Sequence, residues 1–168
     1  MTTTEASVFQ RVFDSLSQDP GVVLFTALQW IPERSALRRV FTSHPDAYPL
    51  GAEKTVEVSP GWLGTVIADK KPFLAADLSG LKEVFTDVEL IQSLGCGGVI
   101  NIPVLRDGDV VGVLALLDAE GRYTQRSVET ATTTVAASAA ELAAAFAEPE
   151  ETNHQEIKEA ARKDALQP

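Results

Sequence analysis

The sequence predicts an α+β domain: a central antiparallel sheet of five or six strands, with the helices at the two ends of the chain packed on one of its faces. Three observations predict it. Leu94 to Asp118 (LGCGGVINIPVLRDGDVVGVLALLD) is two apolar runs joined by Asp107-Gly108, the dipeptide of a two-residue type I′ hairpin turn. Both arms of that hairpin are apolar on both faces, so the sheet needs cover on both sides. Helical periodicity brackets it, with Phe9, Val12, Phe13 and Leu16 early in the chain and Val128, Val135, Leu142 and Phe146 late.

With Arg106 and Asp109 flanking the turn, counting outward pairs Leu105 with Val110, Val104 with Val111, Pro103 with Gly112 and Asn101 with Leu114. That register puts Ile100, Ile102, Val104 and Arg106 on one face with Val111, Val113, Ala115 and Leu117. The other face then holds Val99, Asn101, Pro103 and Leu105 with Val110, Gly112, Leu114 and Leu116.

Taken in order, residues 4–17 form a first helix that Asp19-Pro20-Gly21 ends. Val22 to Ile31 and Leu37 to Ser43 are strands joined through Pro32-Glu33-Arg34-Ser35, and simple alternation puts Arg39, Phe41 and Ser43 on one face. His44 to Gly61, broken by Pro45, Pro49, Gly51 and Pro60, reads as a long irregular loop. Trp62 to Lys70 is a short helix with Leu63, Val66 and Ile67 inward, followed by a short strand from Phe73 to Ala76 and an irregular or weakly helical stretch, Asp77 to Phe85. Thr86-Asp87-Val88-Glu89 has the spacing of a capping box, so a one- or two-turn helix starts at Asp87.

Beyond the hairpin, Thr124 caps a long helix running to about Ala147. Its Val128, Val135 and Leu142, seven residues apart, pack either on the chain's own sheet or in the seam of a helical dimer. Glu148-Pro149 interrupts that helix, so one domain is expected over 5–147, with 148–168 a polar tail, disordered or loosely helical.

The formal net charge of −10 repels phosphate backbones and anionic lipid, which argues against nucleic-acid and membrane-surface partners. Cys96 is the only cysteine, which excludes an internal disulfide and any multi-cysteine metal site and fits a reducing compartment. No run approaches the roughly 18 to 20 apolar residues of a membrane span, and the N-terminal stretch lacks a signal-peptide pattern. A cytoplasmic protein without metal or cofactor is expected.

The order of elements resembles the GAF domain, a relative of the PAS fold. The resemblance is carried by Val66 to Asp77 (VIADKKPFLAAD), Asn101 to Leu105 (NIPVL), the Asp107-Gly108 turn followed by VVGVL, and Gly121-Arg-Tyr-Thr entering the last helix. More narrowly, Arg39 to Gly51, Trp62, Phe85-Thr-Asp and Leu90 to Gly97 are similar to stand-alone single-domain bacterial GAF proteins. The resemblance implies a small-molecule pocket on the sheet face opposite the terminal helices, roofed by loops and short helices, in a sensor that works as a homodimer through those helices. Without an output domain in the chain, such a sensor acts through a partner protein. A branch of this fold that reduces free methionine sulfoxide relies on more than one cysteine, which this chain lacks.

Such a pocket needs an apolar lining with a few placed polar groups. Trp30, Phe41, Tyr48, Trp62 and Phe85 are candidates to stack on a flat ligand, or else plain core. Arg39 is a candidate for a ligand carboxylate, or else for a surface ion pair. Ser43 and Asn101 are polar groups in apolar strands, and Asn101 either pins a neighbouring backbone or reads a ligand. Asp87 is a further candidate ligand-binding residue. These residues suit an anionic or aromatic metabolite.

Cys96 among glycines is inert core or, in an enzyme alternative, a nucleophile served by His44 with Asp46 or Asp87 orienting the imidazole. A third alternative is a purely structural interaction subunit.

Overall fold

The computed structural model describes residues 7–47, 49–51, 53–55, 60–84 and 88–147. Helix α1 (Val8–Gln18) starts at Ser7, whose hydroxyl accepts from the Gln10 N–H at 3.1 Å, and turns Val8, Phe9, Val12 and Leu16 inward. Strand β1 (Leu24–Ile31) passes through a 3-10 turn at Pro32–Arg34 into β2 (Ala36–Thr42). Inside the stretch expected to be irregular lies a short strand, β3 (Glu53–Thr55), paired to Ala36, Leu37 and Arg38. The loop therefore supplies the sheet with an edge.

Helix α2 (Pro60–Trp62) widens at once into a π-helical segment, Leu63–Ala68, where one short helix is expected. Strand β4 (Phe73–Ala75), α3 (Leu78–Val84) and α4 (Val88–Ser93) lead to the central hairpin, β5 (Gly98–Arg106) and β6 (Asp109–Asp118). Asp107 (φ 54°) and Gly108 (φ 86°) both adopt positive φ, as a type I′ turn requires. Thr124 caps α5 (Gln125–Ala137) in a reciprocal box with Ser127. The expected single long helix is two: the chain leaves helical geometry at Ser138 (ψ 21°) and resumes as α6 (Ala139–Ala147).

Among the described residues six strands form one antiparallel sheet in the order β3-β2-β1-β6-β5-β4. Two bulges correct the expected register. In the hairpin, Leu105 pairs with Val110 but Val104 pairs with Gly112, so Val111 is an extra residue and every later pair slips by one. Ile100, Ile102 and Val104 thus share a face with Gly112, Leu114 and Leu116, and Val99, Asn101 and Pro103 share the other with Val113, Ala115 and Leu117. Gly112 explains the slip. The Phe146 ring occupies the space its Cβ would need, 2.4 Å from the nearest ring atom, so only glycine fits there.

The second bulge lies between β1 and β2. Ala27 pairs with Phe41 and Leu28 with Arg39, which leaves Val40 extra and puts Arg39 and Phe41 on opposite faces.

One face, the back, packs against α1, α5 and α6, with Phe9, Phe25, Leu114, Leu116, Val135 and Phe146 at its centre. Val128, Val135 and Leu142 are buried in that core, so the stripe serves the chain's own sheet rather than a dimer seam. The front is covered by the segment from Trp62 to Ala68 and by α3 and α4, through Trp62, Val66, Leu81, Val88 and Ile91. Tyr123 ties the two connections at one end of the sheet, its hydroxyl donating to the Gly21 carbonyl at 2.8 Å.

Candidate ligand-binding face

On the front, register lines up two rows of side chains. One runs Asn101, Ala115, Thr26 and Thr42 across β5, β6, β1 and β2; the next runs Pro103, Val113, Leu28 and Arg39. Apolar residues above and below (Val99, Leu117, Leu24, Leu37) make the polar members conspicuous, because a buried polar group is tolerated only with a partner.

Trp62 and Asn101 meet in this layer. The indole N–H donates to Asn101 Oδ1 at 2.9 Å, with Trp62 3% and Asn101 1% exposed. The partner that Asn101 finds is therefore a side chain rather than a neighbouring backbone, and the bond anchors the first turn of α2 to the middle of the sheet.

Arg39 is 8% exposed, and its Nη1 donates to the Pro49 carbonyl at 3.0 Å while its own carbonyl accepts from the Gly51 N–H at 2.9 Å. It is a buried residue on the front, and it holds the 49–51 stretch of the loop close to β2. Trp30, opposite Leu37, is partly buried against the same apolar cluster.

Other candidates fall elsewhere. Phe41 belongs to the back, where its ring centroid lies 5.8 Å from those of both Phe9 and Phe25, and the bulge at Val40 is the reason. Ser43 Oγ accepts from the Phe25 N–H at 2.9 Å and lies 2.9 Å from His44 Nδ1, so the serine closes the end of β2. The His44 N–H donates to Thr42 Oγ1 at 3.0 Å. Tyr48, Phe85 and Asp87, like the tail from 148 to 168, lie outside the described residues.

Cys96 is 3% exposed within the front cluster. Burial pushes its thiol up to about 11, and the negative charge of Asp118 adds to the shift, opposed by a hydrogen bond with the Leu24 backbone. His44 is engaged with Ser43 and is not among the groups that bear on the thiol. Among the described residues no group of three or more His, Cys, Asp or Glu side chains is placed to hold a metal, and no helix is long and apolar enough to cross a membrane.

Sequence reading missed Thr26, 3% exposed between Leu24 and Leu28 on the front of β1. The signal was present: a threonine in strand phase with two leucines in LFTALQW.

The family model for the GAF domain matches residues 2–143. The chain belongs to the GAF domain family. GAF domains generally sense or bind small molecules and often pair with output domains. No curated protein matches the sequence. Among solved structures, the GAF domain of a phosphoenolpyruvate-protein phosphotransferase from Coxiella burnetii is similar at a TM-score of 0.64 and 16% identity, covering 89% of this chain and 90% of that one. A GAF domain/HD domain protein from Geobacter sulfurreducens gives a TM-score of 0.64 at 8% identity, over 84% and 93% of the two chains. A red/green cyanobacteriochrome in its red light-absorbing state gives 0.62 at 16% identity, over 86% and 95%. At these identities the likeness is one of fold, the α+β GAF/PAS-like architecture.

Proposed function

We propose that this protein is a stand-alone cytoplasmic GAF module, its domain spanning 5–147, that binds a small anionic or aromatic metabolite on the front of its sheet. It acts as a homodimer through its terminal helices and passes ligand occupancy to a partner protein. The observation that carries the reading is the polar set buried in an apolar layer, Arg39 and Asn101 with Trp62 hydrogen-bonded across. Aliphatic side chains would pack that layer without the desolvation cost of a guanidinium and an amide, so their presence there serves recognition rather than stability. Trp30 and Cys96 complete the lining from the same face, and Tyr48, Phe85 and Asp87 are proposed as further ligand contacts.

Dimerisation, on this reading, uses the outward surfaces of α1, α5 and α6, since their inner stripe is spent on the core. The enzyme alternative draws no support from Cys96. A thiol pushed up to about 11 is almost wholly protonated at neutral pH, and the thiolate is the nucleophile.

Native mass spectrometry of the full chain as purified tests both halves of the proposal, because it reports subunit count and retained molecules together. A dimer carrying a small molecule is expected. A bare monomer, with no thermal stabilisation by a panel of organic acids and aromatic metabolites, would overturn it.

A further inference from the structure

We infer that Thr26 and Asn101, with Ala115 between them, form a cradle for a carboxylate of the bound metabolite; this rests on the reading of the front face as the ligand site and names the group it recognises. The three side chains lie abreast on neighbouring strands, Asn101 opposite Ala115 and Ala115 opposite Thr26. Both polar members are more than nine-tenths buried.

The chemistry of each group is fixed by its surroundings. An indole N–H only donates, so Trp62 must take the carbonyl oxygen of Asn101, and the amide NH2, a pure donor, faces away from that bond. Among the described residues no hydrogen bond engages that NH2 or the Thr26 hydroxyl. Both donors are therefore available, and a ligand acceptor placed between them would engage both.

Adjacent strands are about 4.8 Å apart, so the Asn101 and Thr26 side chains rise from backbone about 9.6 Å apart and flank a ligand group standing over Ala115. Ala115 provides the room: on the same face of β6 its neighbours are Val113 and Leu117, and only the middle position carries a methyl. Neither row contains an acidic residue, and Arg39 stands one rung along from Thr26, opposite Leu28, so two donors and a guanidinium line this part of the face.

The test uses the 15N-labelled full chain and three probes sharing one ring: benzoate, the neutral benzamide and the cationic benzylamine. Benzoate is expected to shift the Asn101 side-chain NH2 signals, and benzylamine to leave them in place. Thr26→Val, nearly isosteric, is expected to weaken benzoate binding at least fivefold while changing benzamide binding less than threefold, and Ala115→Leu to abolish both. Benzoate binding by Thr26→Val at wild-type strength would overturn the cradle, as would tighter binding of benzylamine or a benzoate titration that leaves the Asn101 signals unmoved. Thermal unfolding checks that each variant is folded, and Thr26→Val alone suffices if Ala115→Leu is not. Probes that bind the front with no preference for the carboxylate refute the cradle and leave the ligand-site reading standing; mass spectrometry of the purified protein tests that reading independently.

Discussion

Behind the sheet, Phe9 meets Phe146 at 5.1 Å and Phe41 at 5.8 Å, and Phe25 joins Phe41 at 5.8 Å and Phe13 at 5.5 Å, an aromatic seam closed by α6 lying on a bare glycine. In front, the same strands present Thr26, Arg39 and Asn101 among leucines and valines, under a cover of short helices and a π-helical segment. Identical backbone thus carries two kinds of surface. The back is mainly apolar contact, where each buried ring contributes area and edge-to-face geometry, although Gln29 is buried there too and donates to the Phe146 carbonyl at 3.3 Å. The front holds polar groups that weaken a core and that a binding face needs.

Substitutions can break that contrast. Phe146→Ala is expected to cost about 3–5 kcal/mol, read by urea unfolding, because it empties the seat over Gly112 and opens a cavity in the back core. If it costs no more than front substitutions, the back is not the stabilising side. Gly112→Ala approaches the same contact from the strand, and overpacking against the ring at 2.4 Å is expected to cost about 1–3 kcal/mol.

On the front, Trp62→Phe removes the donor of Asn101 Oδ1 and leaves a buried carbonyl unsatisfied, an expected loss of about 1–3 kcal/mol. Asn101→Leu leaves the buried Trp62 indole N–H unsatisfied in turn. The double variant Trp62→Phe/Asn101→Leu, which removes donor and acceptor together, is therefore expected to cost less than the two single losses added; strictly additive losses would show that the bond does not couple the two residues.

Cys96 adds a pH signature to the front. Its folded thiol titrates near 11 against an ordinary value of 9.0, so the unfolded chain gives up that proton first. Stability from this source is intact below pH 9 and is lost as pH rises through about 11. Wild type is expected to lose its advantage over Cys96→Ala across that window, and alkylation of the native thiol at pH 8 is expected to be slow until urea exposes it. The smallest effect belongs to neither face: Arg11 and Glu141, an exposed pair joining α1 to α6, contribute less than about 1 kcal/mol, and a double-mutant cycle should fade with salt.

The fold was legible because its signals are periodic and local. Asp107-Gly108 names its own turn, Thr124 its own helix start, and apolar alternation gives each strand its two faces. Bulges leave no such trace, since an extra residue keeps the composition of a strand while reversing its phase. That is how Phe41 came to be expected beside Arg39, and Val111 opposite Val104. Gly112 was the available clue, because a lone glycine inside an apolar strand marks a bulge or a close approach, and here it marks both. For the site, Trp62 and Asn101 were each readable as candidates, yet their pairing joins residues 39 positions apart and only the folded chain brings them together.

Strand β6 is shared by both surfaces. On its front stands Ala115; three residues earlier, Gly112 offers its backbone directly to the Phe146 ring, with no side chain to absorb a displacement. A strand with no slack on one side behaves as a lever of single-peptide thickness. Whatever presses on the front of this strand is met, on the far side, by the final turn of α6.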